Sequence, residues 1–237
     1  MTLRSYALTD IGRVRPENED AYICDDSLQL FGVCDGIGGL PGGAQASKTA
    51  VFALTSWFKQ KTAPGPFDYS SALAEANEKV FVLGRVLSPR TGIGTTLTMA
   101  HFDNEQVVVM HVGDSFMFRL RTDILDALTQ EHNVENEMKA RAARGLPTYM
   151  MAENRAALTR CVGQPPPVEG DIHAHNVEAG DRYLMCTDGI TRYVMPPEMQ
   201  RLLHAATSPE AICRRLVEIA LKRGGVDNAT VVAVFAD

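Results

Sequence analysis

No run of 18 apolar residues occurs anywhere in the 237-residue chain, so nothing in it reads as a membrane-spanning helix. The first ten residues, MTLRSYALTD, lack the apolar centre of a signal peptide, and Thr2 breaks the myristoylation pattern. A cytoplasmic protein without membrane contact is the expectation. Cysteine is sparse: Cys24, Cys34, Cys161, Cys186 and Cys213 form an odd set without a C-x-x-C pair, which argues against a disulfide framework and for reduced, buried thiols. A net charge of −6 with no stripe of Lys and Arg excludes a nucleic-acid partner, and the basic pairs at Arg119 and Arg214 read as solvated faces. Internal repeats, linkers and low-complexity stretches are missing too. The two proline-rich spots, APGPF (63–67) and QPPPV (164–168), are short enough to be loops, and one domain spanning 1–237 is expected.

What the chain does have is acid at the ends of apolar runs. LFGVCDGIGG (30–39) leads a strand-like segment into Asp35 and Gly36. VVVMHVGDS (107–115) leads another into Gly113 and Asp114. DRYLMCTDG (181–189) ends in Asp188 and Gly189, and GGVDNATVVAVF (224–235) places Asp227 and Asn228 just before the run from Val231 to Phe235. Short apolar runs bounded by turn residues read as buried strands. A single Asp-Gly would be an ordinary turn. Four acids at four strand ends could instead meet at one edge of a sheet layer, where they would repel one another and raise each other's pKa unless cations lay among them. Oxygen donors with almost no histidine nearby suit Mg²⁺ or Mn²⁺ better than Zn²⁺.

Helical spacing appears three times. Leu73, Ala76, Val80, Leu83 and Leu87 form one stripe; Ala46, Ala50, Val51, Leu54 and Trp57 form another. A third helix has Ser208 as N-cap and Pro209 in its first turn, with Ile212, Leu216 and Ile219 on one face. All three stripes read as core-packing surfaces. Segments 96–102 and 106–112, joined by a short DNE turn, imply antiparallel pairing and hence layered sheets covered by helices.

Together with DIGRVRPENED (10–20), the ordered set VCDGIGG, GIGTT, HVGDS, CTDGIT and GGVDNATVV resembles the metal-dependent serine/threonine protein phosphatases of type 2C, the PPM family, in their bacterial single-domain form. The resemblance spans almost the whole chain, and it rests on order and distance, since each motif alone is weak. It implies an α+β fold, a four-layer α-β-β-α sandwich of two mostly antiparallel sheets flanked by helices. It also implies hydrolysis of phosphoserine and phosphothreonine in proteins, the products of a serine/threonine kinase, by in-line attack of a water shared between two Mn²⁺ or Mg²⁺ ions. By residue, it places Asp35 between the two ions, with the Gly36 carbonyl on one of them and Asp188 and Asp227 on the other. Asp114, with Asp188, falls on a third metal site. Glu19 and Asp20 act through bound waters, Asn228 stands beside them, and Arg15 grips the phosphoryl group, which a planar guanidinium can hold by two oxygens. A monomer is expected.

Some positions depart from the family pattern. Ile37 and Leu40 stand where many members carry histidine, so no general acid is identified. The T-x-D-H-S stretch is TQEHN (129–133), with His132 kept as a conformational residue. Residues 135–155 correspond to a mobile flap with Met150 and Met151 on an adaptable surface, and His173 and His175 read as surface residues. Two other readings stand beside this one. One is a non-catalytic module on the same fold. The other is a cysteine-dependent phosphatase built on Cys186 and Arg192 in CTDGITR, although Asp188 would repel phosphate within that loop and Tyr193 replaces the hydroxyl residue expected after the arginine.

Overall fold

Strands alternate side chains between two faces, and in this chain most strands are apolar on both, so each must be covered twice. The computed structural model, which describes residues 1–38, 42–60, 67–103 and 105–237, meets that demand with stacked layers. In chain order the elements are β1 (Leu3–Asp10), β2 (Ala21–Asp25), β3 (Leu30–Cys34), α1 (Gly43–Gln60), α2 (Tyr69–Leu87), β4 (Leu97–Asp103), β5 (Gln106–Val112), β6 (Phe116–Arg121), β7 (Ile124–Ala127), α3 (Val134–Ala143), β8 (Asp171–Asn176), β9 (Arg182–Cys186), α4 (Asp188–Thr191), α5 (Pro196–Ala205), α6 (Pro209–Lys222) and β10 (Ala229–Ala236). One sheet runs β1-β10-β9-β6-β7 and the other β2-β3-β4-β5-β8, every pair antiparallel.

Strand β10 shows how the layers form. Val231, Ala233 and Phe235 pack with Ile212, Leu216 and Ile219 of α6, while Val232 and Val234 point the other way. There they meet Phe31, Val33, Val107 and Val109 of the opposite sheet. On that sheet's far face, Leu30, Leu97 and Met99 pack against Leu54, Leu73 and Val80 of α1 and α2. Three apolar interfaces therefore separate four layers, the α-β-β-α sandwich that the resemblance implied. Phe102 bridges the middle interface edge-on, 5.7 Å from Phe31 and 5.2 Å from Tyr183.

The helix reading holds in detail at α6, where the Ser208 side chain accepts from Ala211 N at 3.1 Å and Pro209 opens the first turn. Elsewhere there are differences. Val51, Trp57 and Leu83 only flank the core, and Leu87, the last residue of α2, lies exposed where no layer extends to cover it. Arg119 is not solvated: its side chain is largely buried and pairs with Asp126 across the β6–β7 hairpin at 3.1 Å, because the stem of a long arginine covers apolar surface well. Cys34, Cys186 and Cys213 are buried, Cys24 and Cys161 are partly exposed, and all five are free thiols. Strands β4 and β5 pair antiparallel with Asp103 opposite Gln106; Asn104 of their turn, Leu40 and residues 63–66 lie outside the described residues. Among the described residues no helix is long and apolar enough to cross a membrane.

Candidate active site

The acids at the strand ends do meet. Asp35 follows β3, Asp114 follows β5, Asp188 opens α4 after β9, and Asp227 precedes β10. All four line one cleft of about 430 Å³ with Arg15, Glu19, Gly36, Arg192 and Asn228. The two Asp-Gly pairs need glycine for a shared reason, the close passage of another backbone. A Cβ on Gly36 would stand 2.5 Å from the Gly43 carbonyl, and one on Gly189 only 1.8 Å from the Asn228 carbonyl oxygen.

Backbone clamps hold Asp35. Its N–H donates to Thr96 Oγ1 at 2.9 Å, and its carbonyl accepts from Thr95 Oγ1 and Thr96 N, both at 2.8 Å. Thr96 Oγ1 in turn meets Ser115 Oγ at 2.8 Å, which ties the Asp35 turn to the Asp114 turn. The side chain of Asp35 meets no hydrogen-bond donor among the described residues. Burial, with Asp20, Asp188, Asp114 and Asp227 nearby, holds its carboxyl well above the ordinary carboxylate range. Burial and the neighbouring Asp188 push Asp114 up to about 6.

Asp20 is buried beneath this floor. Its Oδ2 accepts from Thr230 at 2.6 Å and from Thr187 at 2.9 Å, whereas its Oδ1 is buried without a partner, and burial raises the carboxyl to about 7. Glu19 is also raised by burial, against the opposing charge of Arg15. Asn228 anchors the segment that carries these groups: its Oδ1 accepts from Glu19 N at 2.8 Å, and its Nδ2 donates to the carbonyls of Ile11 at 2.8 Å and Glu17 at 3.0 Å.

Two guanidinium groups face the acids. Arg15 Nη2 donates to Asp227 Oδ2 at 2.9 Å. Arg192 donates to Asp188 Oδ2 through Nη2, and to Asp227 Oδ2 through Nη1 at 3.4 Å. Among the described residues no three acidic, histidine or cysteine side chains are already arranged as metal ligands. The donor set nonetheless fits a hard divalent cation: it consists of oxygens, several of its carboxyls are raised by mutual repulsion and burial, and a buried oxygen of Asp20 lacks a partner.

Cys186 lies buried in the core beside Ile190 and Cys213, away from the cleft lining, and burial pushes its thiol far up. A nucleophilic thiolate there is ruled out, and with it the cysteine-dependent reading. His132 is absent from the cleft lining. Its Nδ1 accepts from Gly113 N at 3.1 Å, so its Nε2 carries the proton toward Asp171 at 3.3 Å; its backbone N–H also donates to the Gly113 carbonyl at 2.7 Å. The histidine thus supports the Asp114 turn from behind, as its reading as a conformational residue anticipated. Asn133 caps α3 by accepting from Asn136 N at 2.9 Å. That helix buries no residue, and Arg155 ties its Glu135 at 2.6 Å, so the segment after it brings Ala156 and Leu158 to the cleft wall. Sequence reasoning missed Thr187 and Thr230, and it noticed Arg192 only as part of the cysteine loop. A hydroxyl at the end of each of two neighbouring strands was the only signal for the threonines.

The profile of the protein phosphatase 2C family matches residues 16–222. The serine/threonine phosphatase stp of Listeria innocua is 30% identical over 234 residues, 95% of this chain and 93% of that protein. Among solved structures, PppA of Pseudomonas aeruginosa superposes with a TM-score of 0.86 at 28% identity, covering 100% of this chain and 99% of that one. The catalytic domain of the serine/threonine protein phosphatase PstP, in complex with two manganese ions, superposes with a TM-score of 0.83 at 29% identity, covering 99% of each chain.

Proposed function

This chain belongs to the protein phosphatase 2C family, and from that premise we propose that the cleft between its two sheets is where it removes phosphate from phosphoserine and phosphothreonine in proteins. It is a metal-dependent serine/threonine protein phosphatase, and phosphorylated proteins are its substrates. The observation that carries the placement is the convergence of Asp35, Asp188 and Asp227, each at the end or start of a strand, on one cleft that also holds Arg15.

In this reading Asp35, the Gly36 carbonyl, Asp188 and Asp227 would hold two divalent cations, Mn²⁺ or Mg²⁺, and Asp114 with Asp188 would hold a further one. Bound there, such ions make a water a nucleophile near neutral pH and offset charge on the phosphoryl oxygens. The protein's own part is placement. Asn228 fixes the segment from Ile11 to Glu19, so Arg15 enters the cleft from a tethered base and can present its fork to the phosphoryl oxygens. Asp227 orients that guanidinium by accepting one of its hydrogen bonds. Asp20, braced by Thr187 and Thr230, sets a buried carboxyl near Asp35 and Asp188. Glu19 and Asp20 would support the cations indirectly, through water. Incubation with p-nitrophenyl phosphate and with a phosphothreonine peptide, in Mn²⁺ and then in excess EDTA, tests the assignment. Turnover in Mn²⁺ that EDTA abolishes is expected; EDTA-resistant turnover, or none, would overturn it.

A further inference from the structure

Arg192 follows the last residue of α4, one turn after Asp188, and its backbone N–H donates to the Asp188 carbonyl at 2.9 Å. The side chain folds back over the cleft and remains half exposed. Its two hydrogen bonds, to Asp188 and Asp227, set the plane of the guanidinium. The Asp227 oxygen it reaches is the one that Arg15 also reaches. Two guanidinium groups, one from the loop before β2 and one from the end of α4, thus converge on a single carboxylate oxygen.

Balancing Asp227 alone would not require both. An arginine has five N–H donors. Among the described residues the Arg192 side chain spends two of them and Arg15 spends one. The unspent donors are accessible: the Arg192 side chain is 53% exposed and that of Arg15 37% exposed, although both line the cleft. They are its only cationic side chains among the described residues. A phosphoryl group offers three non-bridging oxygens, whereas one planar fork binds two at most, so a second fork opposite the first completes the set. The Asp188 contact also holds Arg192 over the cleft before any ligand arrives, which lowers the ordering cost of binding.

We propose that Arg192 is a second phosphoryl-binding arginine, which closes on the substrate phosphate opposite Arg15. The proposal rests on the reading of this cleft as the phosphatase site. It makes Arg192 a substrate-contacting residue in a metal-dependent site, without any part for the Cys186 thiol.

The test uses R192Q and R192K in the full chain, with inorganic phosphate as the probe. Phosphate is titrated as a competitive inhibitor of p-nitrophenyl phosphate turnover, and Mn²⁺ binding to each variant is measured by calorimetry. Losing an exposed, charge-assisted contact should weaken phosphate inhibition about 10-fold in R192Q. KM should rise by a similar factor, and kcat should change by less than about threefold. In R192K, which keeps the charge but not the fork, the loss should be roughly threefold. Mn²⁺ affinity should stay within about twofold of wild type in both. Phosphate inhibition unchanged in R192Q overturns the proposal. So does a loss matched by an equal loss of Mn²⁺ affinity, which would make Arg192 only a brace for Asp188 and Asp227. Either result with an active wild type leaves the phosphatase assignment standing, whereas a wild type inactive in Mn²⁺ refutes the assignment itself.

Discussion

Replacing Asn228 with alanine removes a side chain whose hydrogen bonds all go to the main chain, yet it should disable the site. The residue is 5% exposed and its side chain makes three hydrogen bonds, all to main-chain groups of the segment 11–19. Asn228→Ala leaves the Glu19 N–H and the Ile11 and Glu17 carbonyls without those partners. At roughly 1 kcal/mol net for each lost bond, the cost is about 3 kcal/mol. For a chain of this size each kcal/mol lowers Tm by roughly 2–4 °C, so a drop of about 6–12 °C is expected by scanning calorimetry. Activity should suffer more than stability suggests, because the released segment carries Arg15 and Glu19, and misplacement by an ångström can cost on the order of 100-fold. Asn228→Asp separates the terms: it keeps an acceptor for Glu19 N but loses both donated bonds and sets a new charge beside Asp227. It should recover little of kcat/KM. Both variants melting within about 2 °C of wild type, with kcat/KM within about twofold, would refute the view that this amide holds the segment in place.

Asp35→Ala should abolish Mn²⁺ binding by calorimetry together with turnover, and retention of full binding would remove Asp35 from the ligand set. In EDTA, Asp20 makes stability depend on pH in a definite direction. Its folded carboxyl titrates near 7, above an unfolded value of about 3.9, so the folded state holds the proton more tightly and stability falls as pH rises from about 4 to 7. Urea midpoints of Asp20→Asn should therefore gain on wild type between pH 4.5 and 8, and parallel profiles would contradict this. Cys186→Ala should keep most kcat in Mn²⁺ while melting a few degrees lower, as expected for a small truncation at a fully buried site; loss of activity in a folded variant would revive the thiol mechanism. Asp114→Ala should lower kcat more for phosphoserine peptides than for p-nitrophenyl phosphate, since nitrophenolate leaves without a proton and a serine alkoxide does not. Equal small losses on both substrates would reduce Asp114 to a turn residue.

Much of the architecture is written locally. The alternation that sends Val231 and Val232 to opposite faces, the cap at Ser208 and the acids ending apolar runs depend on backbone geometry and near neighbours, which a single sequence displays. Ordered motifs extended that reading to the family and to the acids Asp35, Asp114, Asp188 and Asp227.

Other features depend on which elements become neighbours. The first and last strands pair, Asp10 opposite Ala229, and this pairing brings the loop after β1 against Asp227 and Asn228. Only then can Arg15 reach Asp227, and only then can Asn228 fasten Ile11 and Glu17. The bracing of Asp20 by Thr187 and Thr230 needs β9 beside β10 and both beneath the β2 entry. Arg119 and Arg192 make the same point with one residue type. In sequence Arg119 looks like exposed charge and Arg192 like part of a cysteine loop, yet Arg119 lies along the sheet while Arg192 folds over a cleft of acids. A long side chain's direction is set by the charges that distant segments bring within its reach, and that information exists only once the sheets have packed.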